Sequence, residues 1–266
     1  ISLGLVGSEM CIRDRLTTHP DNGHFSRTIV NRIWFRLMGR GIVHPVDAMT
    51  NPPWNEALLD HLAAELVDHR YDLKHLLTYI CSSSAYQSRA EVRQASDTAH
   101  WSYLGPQAKR LTAEQFIDAV WDICNAKPEK TDFVPKQADS KNPLPKQLIV
   151  RASLMKSDLF MRSLGRPNRE QIVCSRPNEL TTLEAMDLNN GAILDKLLHR
   201  GADHWLATTP DPDALIDQLY LRVLTRRPSA TELSTAKQLL GAKPQIDAVH
   251  DLMWSLLMLP EFQIIR

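Results

Sequence analysis

The sequence predicts an all-α fold, an irregular multi-helix bundle in which two related three-helix units could flank a central helical segment. Three observations carry that expectation. Helix start codes recur along the chain: Asn51-Pro-Pro and Asp211-Pro place a capping side chain before proline, and Thr112…Gln115, Thr181…Glu184 and Ser229…Glu232 have capping-box spacing. Apolar residues follow the 3.6-residue period, as in Leu215, Ile216, Leu219, Tyr220, Val223 and Leu224, and again in Ile246, Val249, Met253, Leu256 and Leu257. No comparable run alternates with period two, so strands should be few and short.

Composition bounds the answer further. The chain has 266 residues, with 31 Lys plus Arg balancing 31 Asp plus Glu. Hydrophobic residues make up 43% and charged residues 23%, which suits a globular chain of one or two domains and fits poorly with disorder, collagen, a disulfide miniprotein or a membrane span. Zero net charge gives no reason to expect a nucleic-acid partner.

Taken in order, residues 1–15 match nothing downstream, and Leu5 to Arg15 resembles a translated adaptor that recurs at the ends of metagenome-derived reading frames. They are expected to be a non-native tail, preceding one helical domain over 16–266. Asn51-Pro-Pro should open a helix at Pro52, and the Thr112 box another, followed by a break at 126–147, where Pro128, Pro135, Pro143 and Pro145 mix with five lysines. That segment should join two subunits, 16–125 and 148–266. The Thr181, Asp211 and Ser229 starts then place helices through the second.

An internal repeat is also legible. Ile33 to Arg40 aligns without gaps on Leu219 to Arg226, 186 positions on. Pro52, Glu56, Leu76, Ile80, Tyr86 and Gln87 fall opposite Pro228, Glu232, Leu252, Leu256, Phe262 and Gln263, 176 positions on. The difference, 186 − 176 = 10, equals the length of segment 41–50, which should protrude and carry His44 and Asp47 outward. Related helices would place Pro52 and Pro228 in first turns, and Tyr86 and Phe262 against their cores.

Candidate chemistry is sparse. Cys11, Cys81, Cys124 and Cys174 include no C-x-x-C, so a zinc ribbon and covalent haem attachment are not expected in this segment. Cys81 and Cys124 lie in apolar stretches that suit buried, inert thiols. His61, Glu65 and His69 share a helix face but lack the zincin pattern, and their charged neighbours read as a solvated surface. Ser82-Ser-Ser84 follows a helix without a nucleophile elbow. The densest polar cluster holds Arg166, Arg169, Glu170, Arg176 and Glu179 between and beside Pro167 and Pro177. Such a cluster can bind carboxylates or phosphates, or it can be an Arg/Glu network that ties irregular backbone to helices.

Several ordered motifs together resemble a known family. Asn31-Arg-Ile-Trp-Phe-Arg-Leu-Met-Gly-Arg-Gly-Ile-Val-His-Pro-Val-Asp47, Tyr71-Asp-Leu-Lys-His-Leu-Leu77, Ser84-Ala-Tyr-Gln87, Arg110-Leu-Thr-Ala-Glu-Gln115, Gly165-Arg-Pro-Asn-Arg-Glu170, Leu180-Thr-Thr-Leu183, Asp251-Leu-Met-Trp254 and Pro260-Glu-Phe-Gln263 are similar to the C-terminal domain of unknown function, family 1553, of large secreted planctomycete and verrucomicrobial proteins. The resemblance implies export to the periplasm or cell surface. It also implies an upstream cytochrome-c-like module that carries any haem c, with no cofactor or metal in this segment. Where Cys174 stands, many relatives have threonine, which speaks against a catalytic thiol. Two functions follow as expectations. The first is a non-catalytic interaction domain that docks the cytochrome-like module onto itself, envelope proteins or polysaccharide. The alternative is an enzyme or redox partner, linked to polysaccharide breakdown, with a site among Arg166, Arg169, Glu170, Arg176 and Glu179, joined by Arg32 and Asp47.

Overall fold

A computed structural model describes residues 15, 17, 19, 22–91, 101–133, 150–168, 171, 173, 176 and 180–265. Helices dominate these residues, and the strands among them are two dipeptides, β1 (Lys109–Arg110) and β2 (Ile264–Ile265), as the all-α expectation requires. No described helix is long and apolar enough to cross a membrane. The chain forms two compact units, divided between Lys109 and Arg110. The expected tail, 1–15, lies outside the described residues except for Arg15, as does 134–147 of the expected linker.

The first unit is built on α1 (Gly23–Met38), α2 (Glu56–Asp68), α3 (Leu73–Ser82) and the single turn α4 (Ser84–Gln87). Val30, Trp34, Met38, Leu59, Leu62, Leu66, Leu76 and Ile80 form its core. Each of the larger side chains contributes on the order of 1.5–3 kcal/mol by leaving water. Helix α1 stops because Gly39 adopts φ 83° and its N–H donates to the Phe35 carbonyl, a left-handed cap that glycine takes without strain.

Segment 41–50 does not protrude freely as expected. Ile42, Val43 and Val46 are buried, although His44 and Asp47 do face outward. Asn31, fully buried, holds the segment: its Oδ1 accepts from the Val43 N–H at 2.9 Å and its Nδ2 donates to the Val43 carbonyl at 3.0 Å. The second helix likewise starts later than Pro52. Asn55, not Asn51, is its cap and accepts from the Leu58 N–H. Residues 51–54 are drawn elsewhere: the Trp54 N–H donates to the Ile42 carbonyl, and its ring lies 5.9 Å from Tyr103, stacked, and 6.5 Å from Trp34. Burying that indole among aromatics outweighs an extra helical turn.

In the second unit, α5 (Ala113–Ile123), α6 (Leu159–Ser163), α7 (Thr182–Asn190), α8 (Ala192–Thr208), α9 (Pro212–Leu224), α10 (Ala230–Leu240), α11 (Ile246–Met258) and the turn α12 (Pro260–Gln263) enclose a core that includes Phe116, Ile117, Val120, Leu198, Leu219, Met253 and Leu256. Helix α5 therefore packs with the second unit, whereas a division at 126–147 had grouped it with the first. Capping boxes close at Thr112 and Ser229. At Thr181 only half a box forms, because Glu184, whose N–H Thr181 caps, sends its carboxylate to Arg110 instead. Helices α8 and α11 approach at Gly201, where a Cβ would stand 2.7 Å from Met253 Cε and 2.8 Å from Cys124 Sγ.

The helices of the suggested repeat end at corresponding places. α1 and α9 stop at Met38 and Leu224, each followed by a left-handed residue, Gly39 and Thr225, 186 apart. α3 and α11 stop at Ser82 and Met258, and α4 and α12 cover Ser84–Gln87 and Pro260–Gln263, 176 apart. Gln87 Nε2 donates to the Cys81 carbonyl at 3.4 Å, and Gln263 Nε2 to that of Leu257 at 3.2 Å, the same six-residue reach. Two expected details differ. Pro52 and Pro228 precede their helices, whose caps Asn55 and Ser229 are 229 − 55 = 174 apart. Tyr86 is 37% exposed, while Phe262 packs on Phe116.

Candidate functional site

Helix α5 begins after Thr112, so Glu114 stands in its first turn, where the helix dipole favours a carboxylate. Arg176 grips that carboxylate with two nitrogens, Nη1 to Oε2 at 2.5 Å and Nη2 to Oε1 at 3.0 Å. Arg166 Nε stands 3.4 Å from Oε1. Burial opposes the Glu114 charge, but the hydrogen bonds and charge of Arg176, with Arg166 behind it, prevail and hold the carboxyl below its ordinary range.

Arg166 does more than pair. Its Nη1 donates to the Ala152 carbonyl at 2.9 Å, and its Nη2 to the Met155 carbonyl at 2.9 Å. These carbonyls belong to a 3-10 turn, Ala152–Leu154, and its C-cap, which have no regular backbone ladder to join. Asp118, one turn along α5 from Glu114, accepts from the Ala152 N–H at 2.8 Å. Irregular backbone is thus fastened to α5 by three side chains. Beside them, Gln115, Asp118, Ala119, Asp122, Lys127 and Arg151 line a shallow, open polar depression.

A second forked pair lies in the same unit. Arg110 Nη1 and Nη2 donate to the two Glu184 oxygens at 3.0 and 2.9 Å, and Glu184 is only 7% exposed. Gln263 Oε1 accepts from the same Arg110 Nη2 at 3.4 Å. Fork-to-fork pairing of this kind fixes orientation as well as charge.

Of the residues singled out from sequence, Arg166 and Arg176 come together on Glu114, which the charge count did not mark. Arg169, Glu170 and Glu179 lie outside the described residues. Arg32 and Asp47 pair with each other at 2.5 Å on the exposed surface of the first unit. Ser83 caps α4 and donates to the Ile80 carbonyl, a structural use of the serine run. Cys124 is fully buried, and burial pushes its thiol up to about 12, which keeps it unreactive at neutral pH.

The histidines gather differently from the pattern in sequence. His61 Nε2 bonds the Tyr79 hydroxyl at 2.8 Å, while Glu65 Oε1 bonds His75 Nε2 at 2.7 Å and His69 stacks on His75 at 3.7 Å. His75 arrives from α3, and the register of α3 on α2 has no local signature. Asp195, His199 and His250 form a second such group, whose possible ligand atoms all lie within 4.8 Å of one another. Its Asp-x-x-x-His spacing was present in the sequence, but His250 comes from another helix.

No curated protein and no solved structure matches the chain. The profile of one family, described as a protein of unknown function (DUF1553), matches residues 14–240.

Proposed function

We propose that this chain, which belongs to the DUF1553 family of proteins of unknown function, acts by docking rather than by catalysis. The observation that carries this reading is the outer face of α7. Leu180, Leu183 and Met186 are 54%, 60% and 62% exposed, whereas Glu184 and Leu188 on the opposite face are buried. Leu183 and Met186 are three apart and share one stripe, with the exposed Leu180 just before the Thr181 cap. Exposed leucine and methionine side chains on one helix face are the kind of surface that a partner covers.

The polar network supports the same reading from the other side. Arg166, Arg176 and Arg110 spend their donors on Glu114, Glu184 and backbone carbonyls, so they serve to hold α5 and α7 in place. The partner, by the family resemblance, is an upstream cytochrome-like module of a longer planctomycete-type chain at the periplasm or cell surface, and any haem c belongs to that module. The matched helix ends and the Gln87 and Gln263 hydrogen bonds support descent of the two three-helix units, each closed by a single helical turn, from one duplicated unit.

The test is titration calorimetry of the purified chain with such a module. Binding is expected, weakened at least tenfold by Leu183→Glu with Met186→Glu, while the melting temperature stays unchanged because both side chains face water. Undiminished binding by that variant would contradict the proposal. Turnover of a polysaccharide that is abolished by Arg176→Ala would replace it with the enzymatic alternative.

A further inference from the structure

The geometry points to a transition-metal site of the zinc class on the outer surface of α8 and α11, formed by Asp195, His199 and His250 with Asp247 within reach as a fourth ligand. It is independent of the docking surface on α7. Asp195 and His199 are one turn apart on α8, and Asp247 and His250 are three apart on α11, so each helix offers one carboxylate and one imidazole to the same place.

The distances fit coordination. Asp195 Oδ1 lies 3.2 Å from His250 Nε2, His199 Nε2 lies 3.8 Å from Asp247 Oδ1, and one ligand atom from each of Asp195, His199 and His250 falls within 4.8 Å of the others. Ligand atoms about 2.0–2.1 Å from a tetrahedral zinc ion stand about 3.3 Å from one another. Hydrogen bonding does not account for the arrangement. His250 Nε2 is buried and has no hydrogen-bond partner, despite its closeness to the Asp195 carboxylate.

The outer nitrogens are held as metal-binding histidines require. His250 Nδ1 pairs with Asp251 Oδ1 at 3.2 Å, and His199 Nδ1 with the Asp195 carbonyl at 3.0 Å. With the proton on Nδ1 in each ring, Nε2 keeps its lone pair, and a carboxylate or carbonyl partner fixes the ring. The two rings stand 4.3 Å apart, at 43°, rather than in a parallel stack. Access is open, since His199 is 46% and Asp195 54% exposed, while His250 is 16% exposed and held firmly.

The group in the first unit makes a useful contrast. There His75 Nε2 is already bonded to Glu65 at 2.7 Å, and His69 lies flat on His75 with planes 14° apart. There a hydrogen bond already occupies His75 Nε2, whereas His250 Nε2 meets only the Asp195 carboxylate, itself one of the proposed ligands, and makes no hydrogen bond to it. Two imidazoles with two carboxylates suit zinc, and equally cobalt(II) as its spectroscopic substitute.

The experiment is titration of the chelator-treated full chain with Zn2+ in competition with a chromophoric chelator, paired with Co2+ absorption in the visible. One ion per chain is expected, with the intense visible bands of tetrahedral Co2+. His250→Gln should weaken binding at least a hundredfold, and Asp251→Asn about tenfold through loss of ring orientation. His199→Ala, on the exposed surface, serves where His250→Gln fails to fold, and should also weaken binding at least tenfold. His69→Ala should leave it unchanged. Absence of stoichiometric binding, binding indifferent to His199→Ala, or binding lost in His69→Ala instead would each overturn the proposal.

Discussion

Glu114 decides how the described part of the Arg/Glu cluster is read, because its carboxylate takes both Arg176 nitrogens and lies beside Arg166, leaving those two charges engaged within the fold. Glu114→Ala should therefore lower stability by about 1–3 kcal/mol, as loss of a partly buried, charge-assisted bond does, measured by urea unfolding. Arg176→Ala should cost less, since its side chain is 36% exposed. The density of charge at 166–179 was legible in the sequence; its partner was not, since Glu114 stands 62 positions before Arg176 and only tertiary packing joins them. Glu232 makes a pH-dependent counterpart. The fork of Arg226 and the Ser229 N–H hold its carboxyl down to about 2 from 4.5. A carboxyl lowered in the folded state adds stability that is complete above its unfolded value and fades as pH falls toward the folded one. The stability difference between the parent and Glu232→Gln should accordingly be constant above about pH 5 and shrink from there toward about pH 2. A difference that grows on acidification would refute the role of the pair.

Helix existence was readable from caps and apolar period, and helix beginnings were readable where the cap acts locally. Thr112, Asp211 and Ser229 each cap as their spacing predicts. Asn51-Pro-Pro fails as a start because Trp54 joins Trp34 and Tyr103, a distant aromatic contact that no local code announces. Thr181 makes half its box because Arg110 claims Glu184. Close helix packing was likewise invisible. Gly201 sits inside α8, where alanine would favour the helix by about 0.5–1 kcal/mol, yet its Cβ would press on Met253 and Cys124. Gly201→Ala is expected to destabilise by about 1–3 kcal/mol in thermal unfolding, packing outweighing propensity. A stabilised variant would mean that α8 and α11 give way easily.

Each compact unit has its own apolar core, ten buried residues in the first cluster and a larger set in the second. Residues 110–265 made alone should fold into a helical protein with a cooperative melt, and a chain without one would show that this core needs the first unit. Composition and periodicity made the helical class plain, and ordered motifs made the family plain. The place of division was not, because prolines and lysines marked 126–147 while α5, through Phe116, Ile117 and Val120, belongs to the later core. The proposed function was least legible, since a docking surface has no required residue set, only exposed apolar side chains whose exposure appears after folding. Hydrogen–deuterium exchange of the chain with and without a cytochrome-like module, the proposed partner, tests the docking account most directly. Slowed exchange across 180–190, with 152–166 unchanged, is the predicted result. Unchanged exchange at 180–190 with protection appearing instead around Arg166 and Arg176 would contradict it.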